Sequence, residues 1–322
     1  MQRFKKQIAF LFGMIAMVAY LSVRYFPIEK ETTSIIQTVD EQVHMQVYLM
    51  DSDKTLVPIS IPVDQEISEE DNISQMIGYM CGKQKIKGFS PLFEKEVSLE
   101  GVTIQDGLAT LNFNESLAQY DKDNELRVLE ALTWGCTQFH DVEQVRLQLN
   151  GKTLTSMPNA GTPIPEVLNR SIGINHFETA TSALHSSDEL TVFYTKKVEG
   201  TTYMVPKSKR YPATRASMMS KVNEIIDDVS VSSTLTQPMV KDQVELESMS
   251  IDKGLMKVSL NKNILGADQT VKQDVYDSLT LSLLSLDGVK QVQVLVDDVV
   301  VSIGGDETPV SMNDVVYNVV KF

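Results

Sequence analysis

Between Val97 and Gly151 the chain reads strand, tight turn, strand, helix, strand, and between Val244 and Asp298 it reads the same again. Gly254 stands 147 residues after Gly107, and each closes a turn where glycine takes positive φ without steric cost. Asn261 repeats Asn114, Leu279-Thr280 repeats Leu132-Thr133, and Val289, Gln291 and Val292 repeat Val142, Gln144 and Val145. Both copies also share an irregularity. The apolar alternation of Val97 and Leu99 resumes out of phase at Val102 and Ile104, and that of Val244 and Leu246 resumes out of phase at Met249 and Ile251. A one-residue slip predicts a β-bulge or a break in the strand. A shared slip of this kind points to duplication, so the chain is constrained to fold as one small domain made twice.

Each copy has the order strand, helix, strand, strand, helix, strand. In copy 1, Val43 to Met50 and Thr55 to Val63 alternate as a hairpin, with Pro58 and Pro62 marking the second strand as an edge. Ser68 with Asp71 resembles a capping box ahead of the helical stripe Ile73, Met76, Ile77 and Met80. A second helix from Asn124 to Phe139 turns Leu129, Leu132, Cys136 and Phe139 to the core. Copy 2 opens with Leu190, Val192 and Tyr194, then Tyr203, Met204 and Val205. Its helical stripes are Met219, Val222, Ile226 and Val229, then Val275, Leu279, Leu283 and Leu286, and Val315, Val316, Val319 and Val320 lie near the C-terminus. The expected fold is α+β: two small tandem domains, each a mixed or antiparallel sheet with two helices packed on one face. The 322 residues suffice for two such cores.

The chain divides into a basic stub at 1–7, an apolar segment at 8–26, a polar linker at 27–42, domain 1 at 43–155, a crossing loop and linker at 156–187, and domain 2 at 188–322. Arg3, Lys5 and Lys6 precede the apolar run, and no small-x-small cleavage site or lipid-accepting Cys follows it. This predicts an uncleaved signal anchor: a single-pass cell-membrane protein with the bulk of the chain extracytoplasmic. A cleaved signal peptide is the other reading, and it exports the same domains. A net charge of −14 excludes non-specific binding to nucleic acid, which needs a basic surface.

Chemistry is sparse. His44, His140, His176 and His185 lie at no metal-ligand spacing, and there is no Gly-x-Ser-x-Gly elbow or phosphate loop. No catalytic residue, cofactor or metal is expected. Asp51-Ser52-Asp53 and Asp297-Asp298 read as turn residues, and Glu125 with Glu130 would point to different helix faces. Trp134 has Leu281 as its repeat partner, which favours packing over ligand stacking. Lys207, Lys209, Arg210 and Arg215 with Tyr203 and Tyr211 read as a solvated basic loop. An exported location would permit a disulfide between Cys81 and Cys136, the only cysteines; two buried hydrophobes is the alternative.

The duplicated unit resembles the GerM-type domain of bacterial sporulation and spore-germination proteins. The resemblance runs through Gly107 to Phe113, Thr137-Gln138-Phe139 and Val142 to Lys152 with Asn150-Gly151. It is strongest in Gly161-Thr162-Pro163-Ile164, Leu168, Arg170 and Gly173-Ile174-Asn175. Copy 2 matches loosely, around Gly254, with Asp298 in place of Gly151. The resemblance implies a non-enzymatic envelope protein of sporulation or germination. Its tandem domains would act in assembly with envelope or secretion-channel proteins, or as a homo-oligomer. A cell-wall or polysaccharide-binding module is the alternative.

Overall fold

Alternating strands, joined within each hairpin by a left-handed turn, and the helices between them build two copies of the same unit. The computed structural model describes residues 37–38, 43–63, 66–93, 97–176, 187–212, 217–228, 234–239, 243–303, 307–312 and 315–320. The basic stub, the expected anchor at 8–26 and most of the 27–42 linker lie outside the described residues. Among those described, no helix is long and apolar enough to cross a membrane.

In chain order the elements are β1 (Gln37–Thr38), β2 (His44–Met50), β3 (Leu56–Pro62), α1 (Glu69–Met80), β4 (Leu99–Gln105), β5 (Leu108–Phe113), α2 (Glu125–Cys136), β6 (Gln144–Leu149) and β7 (Lys152–Thr153). Copy 2 repeats them as β8 (Ser187–Val198), β9 (Thr201–Pro212), α3 (Met218–Ile226), β10 (Leu246–Asp252), β11 (Leu255–Leu260), α4 (Gln273–Leu284), β12 (Gln291–Val296) and β13 (Val299–Val300), followed by β14 (Val310–Ser311) and β15 (Val315–Val316). In copy 1, β4, β5, β6 and β7 form a mixed sheet in that order, with β5 and β6 parallel across the α2 crossover. In copy 2 the order is β10, β11, β12, β13, and β14 also pairs with β12.

The phase slip seen in the sequence is a bulge in both copies. The register of β4 on β5 shifts between Leu99 and Gly101, and that of β10 on β11 shifts at the equivalent place, between Leu246 and Ser248. Gly107 (φ 79°) and Gly254 (φ 88°) close the two hairpins, after Asp106 and Lys253, which are also left-handed. Asn150-Gly151 closes the β6–β7 turn, and Asp297-Asp298 adopts the same left-handed pair in copy 2. Asn114 and Asn261 play one role: each side chain accepts from the N–H two residues on and caps a short 3-10 turn.

The layering departs from the expected one. The opening hairpin β2–β3 is a sheet of its own, separate from the mixed sheet, and so is β8–β9. Helix α2 touches β2 and also β6, while α4 touches β8 and also β12, so the second helix of each copy sits between hairpin and mixed sheet. That position explains a composition with little amphipathic contrast: Val128 through Cys136 are all buried, and so are Val275 through Leu284. Side chains meet the outer edges of the hairpins. The Gln46 N–H donates to Gln138 Oε1 at 2.5 Å, and Gln138 Nε2 donates to the Gln46 carbonyl at 2.8 Å. In copy 2 two serines one helical turn apart do the same: the Phe193 N–H donates to Ser282 Oγ (2.8 Å), and Ser278 Oγ donates to the Phe193 carbonyl (2.5 Å).

Other details differ. Strands β8 and β9 run 12 residues each, longer than the pattern suggested. In α3 the buried stripe is Val222, Ile225 and Ile226, while Met219 faces out at 53% exposure. Val229 lies outside the described residues. Ser68 caps α1 as expected, accepting from Asp71 N at 3.1 Å.

Candidate functional site: the seam between the two copies

Strands β3 and β9 face each other across the seam. Pro58 and Pro206 occupy equivalent places in them and cannot donate to a ladder. Two asparagine side chains bridge the gap instead. Asn175 Oδ1 accepts from the Leu56 N–H (2.8 Å), while its Nδ2 donates to the carbonyls of Leu56 and Pro206, both at 2.8 Å. Asn318 Oδ1 accepts from the Met204 N–H (2.8 Å), and its Nδ2 donates to the carbonyls of Met204 and Pro58, both at 2.7 Å. Each asparagine holds its own copy's strand twice and the other copy's strand once. Both are essentially fully buried and left-handed, with φ of 55° and 58°, a conformation asparagine tolerates better than most residues.

The chain around each asparagine crosses as well. The Ser208 N–H donates to the Ile174 carbonyl at 2.8 Å, and the Ile174 N–H donates to Ser208 Oγ at 3.1 Å. Reciprocally, the Ser60 N–H donates to the Asn318 carbonyl (3.1 Å) and Ser60 Oγ to the Tyr317 carbonyl (2.5 Å). Lys196, 4% exposed, comes from β8 into the turn of the first hairpin. It pairs there with Asp51 and, at 3.0 Å, with Asp53, and donates to Thr55 Oγ1 at 2.8 Å. The acidic pair is thus a turn, as expected, and also a clamp on copy 2.

The family-motif residues converge behind this seam. Arg170 Nε donates to Thr137 Oγ1 (2.9 Å) and Nη2 to the Thr137 carbonyl (3.2 Å), satisfying the C-terminal end of α2. Its guanidinium lies 4.7 Å from the centre of the Trp134 ring, and Trp134 Nε1 donates to the Gly173 carbonyl at 2.9 Å. Gly173, at φ 76°, leaves room for the His176 ring where a Cβ would stand. Gly161 (φ 78°) turns the loop so that the N–H groups of Ala160 and Thr162 point at Glu125, at 2.7 and 2.9 Å. Pro163 bridges to Ser156, and Ile164 is buried beyond it. Gly107, Gly254, Asn150 and Gly151 serve the turns of their hairpins.

The buried carboxylates are spent on backbone. Burial alone would raise the Glu125 carboxyl, but the donors from Thr162, Tyr120 and Ala160 outweigh it and hold it at about 2. Glu130 accepts from the Asn175 N–H at 3.1 Å and from Arg127 Nη1 at 2.5 Å; its burial raises its pKa against the pull of Arg127. Arg127 in turn donates to the His176 carbonyl at 2.9 Å. Burial, then the fields of Arg210, Arg127 and Lys207, push the His176 imidazole down to about 4.

Several expectations change here. No disulfide joins Cys81 and Cys136. The Cys81 sulfur engages the backbone of Val97, accepting its N–H at 3.4 Å, while burial pushes the Cys136 thiol up to about 12. The basic, aromatic patch is not a loop but strand β9. Lys207 and Tyr203 are buried, Lys209 pairs with Glu224 (2.7 Å) and Asp228, and Tyr203 packs edge-on against Phe89. Arg215 and the Tyr211 side chain lie outside the described residues, as does His185. His140 is an exposed turn residue whose N–H donates to Glu69 at 3.0 Å.

Sequence reasoning missed Asn318, Ser60, Ser208 and Lys196. One signal was available: Leu56-Val57-Pro58-Ile59-Ser60 and Met204-Val205-Pro206-Lys207-Ser208 share the Val-Pro-x-Ser pattern. Thr308-Pro309-Val310 then echoes Thr162-Pro163-Ile164 ahead of Asn318.

These features define a tandem α+β protein whose two copies are joined through their own C-terminal segments. Residues 46–155 and 191–302 each match the family model described as sporulation and spore germination. The chain belongs to this Germane family. It is 27% identical over 279 residues to the spore germination protein GerM of Bacillus subtilis (strain 168), covering 84% of this chain and 75% of the relative. It is also similar to the solved tandem GerMN domains of the sporulation protein GerM from Bacillus subtilis. That likeness has a TM-score of 0.76 at 27% identity and covers 85% of this chain and 98% of the other.

Proposed function

We propose that this chain is a non-enzymatic assembly component of sporulation or spore germination. In this reading, residues 8–26 anchor it in the cell membrane, and the tandem domains stand outside the cytoplasm and contact envelope or secretion-channel proteins or further copies of the chain. The observation that carries this reading is where the buried polar groups go. Glu125 holds a loop, Glu130 and Asn175 hold the seam, and Trp134 and Arg170 lock the end of α2. Catalysis needs such groups aimed into a cleft; here they hold a loop, the end of α2 and the seam between the copies. Family membership supports the process, and the exposed edges of β4 and β10 offer surfaces for partners.

The test is replacement. The full chain, expressed in place of GerM in Bacillus subtilis, should restore spore germination and fractionate with membranes. Light scattering on residues 30–322 then separates self-association from partnership with other proteins. Failure to restore germination by a chain that is made and folded overturns the reading.

A further inference from the structure

Strand β10 pairs with β11 along one edge, and among the described residues no hydrogen bond reaches its other edge. Its counterpart β4 is also an edge, but the two are dressed differently. In the β4 bulge Glu100 is held by Asn112 Nδ2 at 3.1 Å. In β10 the equivalent acid is Glu247, and Ser259 stands where Asn112 was. Glu245, just ahead of β10, and Glu247 and Asp252 within it are all exposed. Lys262, which feels the field of Glu247, is itself held by Asp297 at 2.7 Å. Ile104 is half-buried in β4, whereas its equivalent Ile251 is 41% exposed in β10. Ile251 stands opposite the buried Met256, on the core side of the sheet, and α3 packs against β10 and exposes Met219.

An unpaired strand beside a helix is the geometry in which an extended peptide adds to a sheet. Backbone hydrogen bonds supply the affinity and alternate side chains the selectivity. We propose that the outer edge of β10 takes an extended, Lys- or Arg-rich segment of a partner protein as an added strand. Its cations meet Glu245, Glu247 and Asp252, and its apolar side chains meet Ile251 and Met219. A second copy is the poorer occupant, because β10 against β10 sets these acids against each other. This inference rests on the assembly reading and names a surface and partner chemistry for it.

The probe is a fluorescent peptide of about ten residues, the length of a strand, alternating Val or Thr with Lys, titrated into the full chain by polarisation. Saturable binding is expected, weakened about ten-fold or more by Glu247→Lys with Asp252→Lys and about as strongly by N-methylation of alternate peptide amides. Glu100→Lys, on β4, should leave it within about two-fold. Equal binding of the N-methylated peptide, or an equal loss from Glu100→Lys, overturns the proposal, because binding is then diffuse charge or lies on another edge. No binding by a chain that still restores germination overturns it too, and leaves the assembly reading standing.

Discussion

Asn175 and Asn318 are reciprocal: each binds the backbone of its own copy twice and the other copy once, through Leu56 and Pro206 for Asn175, and Met204 and Pro58 for Asn318. Two proline-bearing edges that cannot form a ladder are thereby stitched by side chains. The physical cost of losing either is the cost of leaving buried backbone groups unpaired.

Replacing Asn175 with Asp keeps size and shape but sets an acceptor against two carbonyls. The chain should lose about 2–4 kcal/mol in denaturant unfolding near neutral pH. Burial against acceptors raises the folded pKa of the new acid above its unfolded value. Stability should therefore be recovered in part as pH falls through that raised pKa, and lost as pH rises through it. Asn318→Asp should behave alike, and the two losses should couple, since both act on one pair of strands.

Glu125 and His176 give the native chain a pH profile. The Glu125 carboxyl is held near 2, so its contribution is present above the unfolded carboxylate range and is lost as pH falls toward 2. The His176 imidazole is held near 4, so the unfolded chain binds its proton first and stability falls as pH drops from the ordinary histidine range toward 4. Unfolding midpoints of Glu125→Gln and His176→Asn should each lose the matching part of that slope.

Turn geometry gives predictions of opposite sign. Gly107→Val and Gly254→Val place a β-branched residue at positive φ, and each should cost about 1 kcal/mol or more. The Gly254 change is more crowded, with a Cβ 2.9 Å from the Lys290 side chain, against 3.6 Å from Glu143 at Gly107. Asp298, at φ 62°, stands where copy 1 has Gly151; Asp298→Gly should stabilise the fold by about 0.5 kcal/mol, read as a raised unfolding midpoint.

Reductant should leave stability unchanged. No disulfide joins Cys81 and Cys136, so thermal unfolding with and without dithiothreitol should coincide, and the native Cys136 thiol should react slowly because it is buried and its ionisation suppressed.

Local features of the fold were legible. The turn glycines, the shared bulge and the Ser68 cap follow from φ preference, side-chain period and orphan N–H groups, which act within a few residues. The separate hairpin layer was not, because Gln138 closes β2 from 92 residues away and the serines of α4 hide in an apolar run. Asn175 stood out as a motif residue without a role. Its partner Asn318 was harder to see, because the repeat spacing shrinks from 147 at the glycines to 143 at the asparagines. The prolines at 58 and 206 announce edges but not which edges meet.

Trp134, the single tryptophan, sits in copy 1 and reports its unfolding, while far-ultraviolet dichroism reports both copies. Denaturant unfolding of residues 30–322 followed by the two signals tests the central claim that the seam makes one body. The account predicts coincident transitions for the native chain, and transitions that separate in Asn318→Asp, a change confined to copy 2's terminal segment. Transitions already separate in the native chain would contradict it.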